Sequence, residues 1–166
     1  MNPRCENMQA FAKTMAAVVL LVMCAAGGAV AQAEKTPAVS PSPEEVVNRY
    51  LEALKAGNFA AAYDQISKEM AQNKDRDAWA KEQQWTMQMS DAKIFSYKIY
   101  PGKVEGNTAR VPNVLSSQDK FLNQLGVGEH ELYTLIREDG RWKINQQVLL
   151  DKADQAKWFP PEAREK

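Results

Sequence analysis

The sequence predicts an α+β domain in which amino-terminal helices pack into a curved antiparallel sheet of about four strands. Residues 43–89 repeat apolar side chains at helical spacing, with Val46, Val47, Tyr50, Leu51 and Leu54 as the clearest stripe. Residues 93–150 alternate instead, and they hold the plainest hairpin in the chain. Leu132, Thr134 and Ile136 share one face of an extended run and Tyr133 and Leu135 the other. Trp142, Ile144, Gln146 and Val148 share a face after the Asp139-Gly140 break. Asp-Gly suits a two-residue turn in which both residues take positive φ. A lone hairpin is marginal in water, so one side of this one needs a cover.

The chain opens with a different signal. Arg4 and Lys13 come before or beside Met15–Ala26, an apolar run without a charge, and Ala31-Gln32-Ala33 gives a small-x-small pattern before the composition turns polar at Glu34. That layout predicts a secretory signal peptide over residues 1–33, cut after Ala33. An apolar run of about a dozen residues falls short of the roughly 20 that cross a bilayer as a helix. Lipid anchoring at Cys24 is disfavoured, because bulky Met23 stands where a lipobox carries a small residue. Both cysteines, Cys5 and Cys24, lie in this leader. The expected mature protein is therefore exported, periplasmic or extracellular, with no thiol and no transmembrane anchor after processing. Lys and Arg number 21 against 21 Asp and Glu, which gives no reason to expect a nucleic-acid partner.

Each element follows from a local signal. Residues 34–43, with Pro37, Pro41 and Pro43, read as an extended linker. Ser42-Pro43-Glu44-Glu45 is a capped helix start, and the domain is expected over residues 44–150. Lys55-Ala56-Gly57 ends the first helix. Asn58 starts a short second one carrying Phe59, Ala62, Tyr63 and Ile66, and a third runs from Asp75 or Asp77 to about Met89 with Trp79, Gln83 and Met87. In 93–104, Phe95, Tyr97 and Ile99 are read on one face, with Pro101-Gly102 as a bulge or turn. Thr108–Leu115 returns, and Pro112 predicts an edge or bulged position for that strand. Residues 151–166 read as a carboxy-terminal tail in which Trp158 and Phe159 dock back and Glu162–Lys166 is loose.

Chemistry-bearing motifs are scarce. There is no glycine-rich nucleotide loop and no two-histidine metal spacing, so neither cofactor nor metal is expected. His130, the only histidine, sits between Glu129 and Glu131 at a strand entrance and reads as solvent-facing. The carboxylates read as helix starts, turns and solvated faces, and no catalytic residue is assigned.

The order of elements, with Tyr50-Leu51-Glu52-Ala53-Leu54-Lys55-Ala56-Gly57-Asn58-Phe59, Asn107-Thr108-Ala109-Arg110-Val111 and Asp139-Gly140-Arg141-Trp142-Lys143-Ile144, resembles the nuclear transport factor 2-like (NTF2-like) superfamily, in particular its small exported domains of uncharacterised function. The likeness covers about Pro43–Leu150. It implies a cone of sheet around helices whose open end either encloses a ligand or is filled by side chains. Tyr50, Tyr63, Trp79, Phe95, Tyr97, Tyr133 and Trp142 are the residues expected to line a pocket there or to fill the core.

The leading functional expectation is a noncatalytic exported domain that binds a small apolar or amphiphilic ligand or a protein partner, with a homodimer through the sheet as one arrangement. An isomerase or dehydratase is the enzymatic alternative, and it requires an inward carboxylate or histidine within reach of a pocket tyrosine. A structural or assembly role without a small ligand is the third.

Overall fold

The computed structural model describes residues 40–121 and 124–164. The expected leader, its cleavage site, Cys24 and most of the proline-containing linker lie outside them. Helix α1 spans Pro43–Lys55, and Ser42 caps it by accepting the Glu45 amide at 3.1 Å. Glu44 and Glu45 sit in the first turn and Lys55 in the last, where each charge complements the helix dipole. Its stripe is buried as Val46, Val47, Tyr50 and Leu51, and each of the valine and leucine side chains contributes roughly 1.5–3 kcal/mol by leaving water.

Helix α2 is short, Phe59–Tyr63, and Asn58 caps it. The chain then straightens, and Ile66 forms a parallel bridge with Ile144. The Ser67 amide donates to the Ile144 carbonyl at 2.8 Å and the Ile144 amide to the Gln65 carbonyl at 2.9 Å, which closes part of one sheet edge. Helix α3, Arg76–Met89, is capped by Asp75 and buries Trp79.

The sheet is antiparallel, built from β1 (Lys93–Ile99), β2 (Lys103–Glu105), β3 (Thr108–Asp119), β4 (Gln124–Glu138) and β5 (Arg141–Leu149). The order is β1-β3-β4-β5, and the short β2 also pairs with β3. This adds a fifth strand to the four or so expected. Asp139 at φ 50° and Gly140 at φ 75° form the turn between β4 and β5, with Glu138 opposite Arg141. Both turn residues take the left-handed conformation that the dipeptide favours.

Pro112 corrects an expectation. It lies in β3, a central strand flanked by β1 and β2 on one side and β4 on the other. A proline survives there because of where its missing donor points. The Pro112 carbonyl accepts the Tyr100 amide at 2.9 Å, so its nitrogen faces the same flank, where β1 has ended and β2 has not begun. The β1 ladder stops at Asn113 and the β2 ladder starts at Arg110, so the missing N–H interrupts neither of them. Gly102 is required at this crossing: a Cβ would fall 2.8 Å from the Arg110 carbonyl oxygen, while its amide donates to Glu44 at 2.8 Å.

The carboxy-terminal segment also folds. Asp151 caps α4 (Lys152–Trp158), and Pro161–Ala163 make a 3-10 turn, so Glu162 and Ala163 are ordered into structure where a loose end was expected. Phe159 is buried against the rings of Tyr100 and His130 at 5.2 and 4.8 Å between centroids. This segment lies on the outer face of the sheet, opposite α1. Among the described residues, no helix is long and apolar enough to cross a membrane.

Candidate functional site

Alternation along β4 turns Glu131, Tyr133 and Leu135 toward α1. Asn113 of β3 stands directly across from Glu131, and Gln147 of β5 across from Tyr133. The register therefore gathers an amide, a phenol and a second amide around one carboxylate. Glu131 is 2% exposed. Its Oε2 accepts Asn113 Nδ2 at 2.9 Å and the Tyr133 hydroxyl at 3.0 Å, and its Oε1 accepts Gln147 Nε2 at 2.6 Å. Tyr50 of α1 closes over the group, its ring edge-on to Tyr133 at 6.3 Å.

A carboxylate taken from water costs several kcal/mol unless it is hydrogen-bonded. Burial pushes the Glu131 carboxyl above its ordinary range, with Glu129 adding to the effect, while the donors from Asn113, Tyr133 and Gln147 pull the other way without cancelling it. Burial likewise raises the phenols of Tyr133 and Tyr50, and the neighbouring Glu131 raises them further.

Two polar atoms remain for something else. Asn113 Oδ1 is buried without a hydrogen-bond partner. Its orientation is fixed by chemistry, since flipping the amide would set an oxygen against the carboxylate. The Tyr50 hydroxyl makes no hydrogen bond among the described residues. A neutral group that both donates and accepts, such as a hydroxyl or an amide, matches the hydrogen-bonding capacity left on these two side chains. Among the described residues, no cluster of His, Cys, Asp and Glu is arranged to hold a metal.

The aromatic residues expected to line a pocket or fill the core separate into groups. Tyr50 and Tyr133 belong to the polar cluster. Trp142 is buried in the same core, with the Arg137 guanidinium 4.3 Å from its ring. Tyr63 and Trp79 pack on each other at 5.8 Å between α2 and α3, and the Tyr63 hydroxyl donates to the Lys74 carbonyl. Tyr97 is half-buried and its hydroxyl donates to Glu52 and also lies 3.0 Å from Asn48 Oδ1, which ties β1 to α1. Phe95 leaves the group: it is 48% exposed because the β1–β3 register shifts between Ile94 and Ser96. The bulge reverses the alternation, and Ile94 packs on the core instead.

His130 also departs from its expected solvent-facing place. It is buried under Phe159, and its Nε2 is paired with the Ala163 carbonyl. Glu131, Asn113 and Gln147 were not singled out by sequence. The usable signal was parity, since Glu131 shares a face with Tyr133 and Leu135, but both faces of β4 carry apolar residues and parity alone does not choose between them.

No family model matches the chain, and no curated protein matches it. Solved structures do. A SEC-C motif containing protein from Rhodopseudomonas palustris matches at 15% identity over 66% of this chain and 80% of its own, with a TM-score of 0.52. A putative calcium/calmodulin-dependent protein kinase type II association domain from Thiobacillus denitrificans matches at 11% identity over 67% and 95%, with a TM-score of 0.50. An NTF2-like protein of unknown function from Cytophaga hutchinsonii shares 14% identity over 69% and 95%, with a TM-score of 0.42. These likenesses are of fold. The protein is an α+β domain with helices against an open antiparallel sheet, and it shares that fold with the first two of these structures.

Proposed function

We propose that this chain is an exported, noncatalytic binding domain that takes a small amphiphilic molecule with a neutral hydroxyl or amide head. The observation that carries the reading is the buried, unpartnered Asn113 Oδ1 beside a carboxylate both of whose oxygens already accept hydrogen bonds. A carboxylate engaged on both oxygens holds its neighbours in place and leaves recognition to Asn113 and Tyr50. Dimerisation through the outer sheet face is compatible only where α4 and Phe159 leave that face uncovered.

Titration with 1-octanol, followed by NMR shifts of the Asn113 and Gln147 side-chain amides, tests the assignment. Saturable shifts are expected, lost in Tyr50→Phe, which removes only a hydroxyl. Octanoate is expected to bind more weakly, since its charge would lie near Glu131. Equal responses to octanol, octanoate and an alkane would sink the reading.

One contact favours the enzymatic alternative. Glu131 lies 3.0 Å from the Tyr133 hydroxyl, the inward carboxylate and tyrosine that an isomerase or dehydratase needs. Deuterium exchange at the α-carbon of cyclohexanone, faster than with Glu131→Gln, would support it over simple binding.

A further inference from the structure

The charges at the opposite end of the domain are arranged less economically. A groove of about 370 Å³ is lined by Arg49 of α1, Asp64 and Gln65 after α2, and Arg141, Trp142 and Lys143 at the start of β5. Its acidic lining residue, Asp64, and the carboxylates nearby are largely occupied. Asp64 is held in a fork by Arg76, Nε to Oδ1 at 3.0 Å and Nη2 to Oδ2 at 3.1 Å. Glu45 pairs with Arg49, and Glu138 accepts the Lys68 amide at 3.2 Å.

The two cations on β5 have no such relief. Lys143 Nζ donates to the Asp64 carbonyl, a neutral acceptor. Among the described residues, neither Lys143 nor Arg141 has a carboxylate within ion-pair distance. Burial lowers the Lys143 ammonium from its ordinary range and the adjacent Arg141 lowers it further, while Asp64, Glu138 and Asp139 oppose this from a distance. Two like charges are thus set side by side in a partly enclosed groove, where water screens them less than on an open surface.

We propose that this groove binds a small molecule through an oxyanion, phosphoryl or carboxylate, clamped between the Arg141 guanidinium and the Lys143 ammonium. The guanidinium fork suits a planar or tetrahedral oxyanion and the ammonium supplies a point charge. The Gln65 amide lies on the same wall, and the volume leaves room for a body attached to the anion. The site is separate from the cluster around Glu131 and stands or falls without it.

Titration of the full chain with inorganic phosphate and, separately, with citrate, both at constant ionic strength against sodium chloride, tests the assignment by NMR of the Gln65 amide, the Trp142 indole and the Lys143 ammonium. Saturable shifts with either oxyanion are expected, with the Lys143 titration moving upward in its presence. Response to phosphate alone identifies a phosphoryl head, and response to citrate alone a carboxylate. Arg141→Ala and Lys143→Met should each weaken binding about tenfold or more. Lys98→Met, on β1 beside Tyr100, should leave it unchanged. Shifts that follow ionic strength alike in all three salts, or affinity unaltered in both groove variants while they remain folded, would overturn the proposal.

Discussion

On the inner face of β4, Glu131, Tyr133 and Leu135 meet α1; on the outer face, His130 meets the segment that follows β5, and Leu132 is also buried. Both faces are buried, yet their covers differ in kind. The inner cover is a capped helix of 13 residues whose apolar stripe joins the continuous core. The outer cover is a helix of 7 residues and a 3-10 turn, seated largely through Phe159. An isolated helix that short is unstable in water, so α4 depends on its docking. The comparison teaches that one sheet can carry a face that opens only with global unfolding and another that can open alone.

Breaking the inner face should have the largest effect. Trp142→Ala removes a side chain that is 5% exposed, together with the Arg137 contact on its ring. A loss of about 3–5 kcal/mol is expected, read as a fall in the urea midpoint with every probe moving together. The outer face should respond more locally. Phe159→Ala also empties a buried site, but α4 can detach while the sheet and α1 stay folded. Hydrogen exchange is therefore expected to quicken at Gln155, Lys157 and Phe159 well before it changes at Tyr133 or Leu135. Equal acceleration on both faces would mean that the outer segment belongs to the same cooperative unit as the core, and the contrast would fail.

The sequence was unequally legible across these two faces, for physical reasons. The α1 stripe, its Ser42 cap and the Asp139-Gly140 turn are local signals, each set by residues a few positions apart, and they appear in the structure where expected. Pro112 and Phe95 were misread because their surroundings depend on pairing. The gap between β1 and β2 spares the proline, and the bulge at Ile94/Ser96 turns the phenylalanine outward. The cluster around Glu131 was the least visible part. Its members are 18 and 16 residues from Glu131 in sequence for Asn113 and Gln147, and register alone brings them together. An acidic residue flanking a histidine reads as solvated until the strand opposite is known.

The smallest expected effect is the most diagnostic of the inner face. Glu131→Gln keeps the shape but replaces one acceptor oxygen with a donor, which must then face a donor from Asn113, Tyr133 or Gln147. One buried mismatch of this kind costs about 1–3 kcal/mol. The pH dependence separates this cost from the ionisation. Because the folded-state carboxyl titrates above its unfolded value, the folded protein holds this proton where the unfolded chain has released it. The resulting stabilisation is full below the unfolded pKa and is lost as pH rises through the folded one. Glu44 and Asp91 are shifted downward, so their contributions have the opposite sign and are lost as pH falls. They are common to both proteins and cancel in the difference. The stability of the wild type relative to Glu131→Gln should therefore be greatest in acid and shrink toward neutral pH, by about 1.4 kcal/mol for each unit of upward shift. A difference that grows with pH would show instead that the donors from Asn113, Tyr133 and Gln147 outweigh burial, and that α1 covers a charged carboxylate.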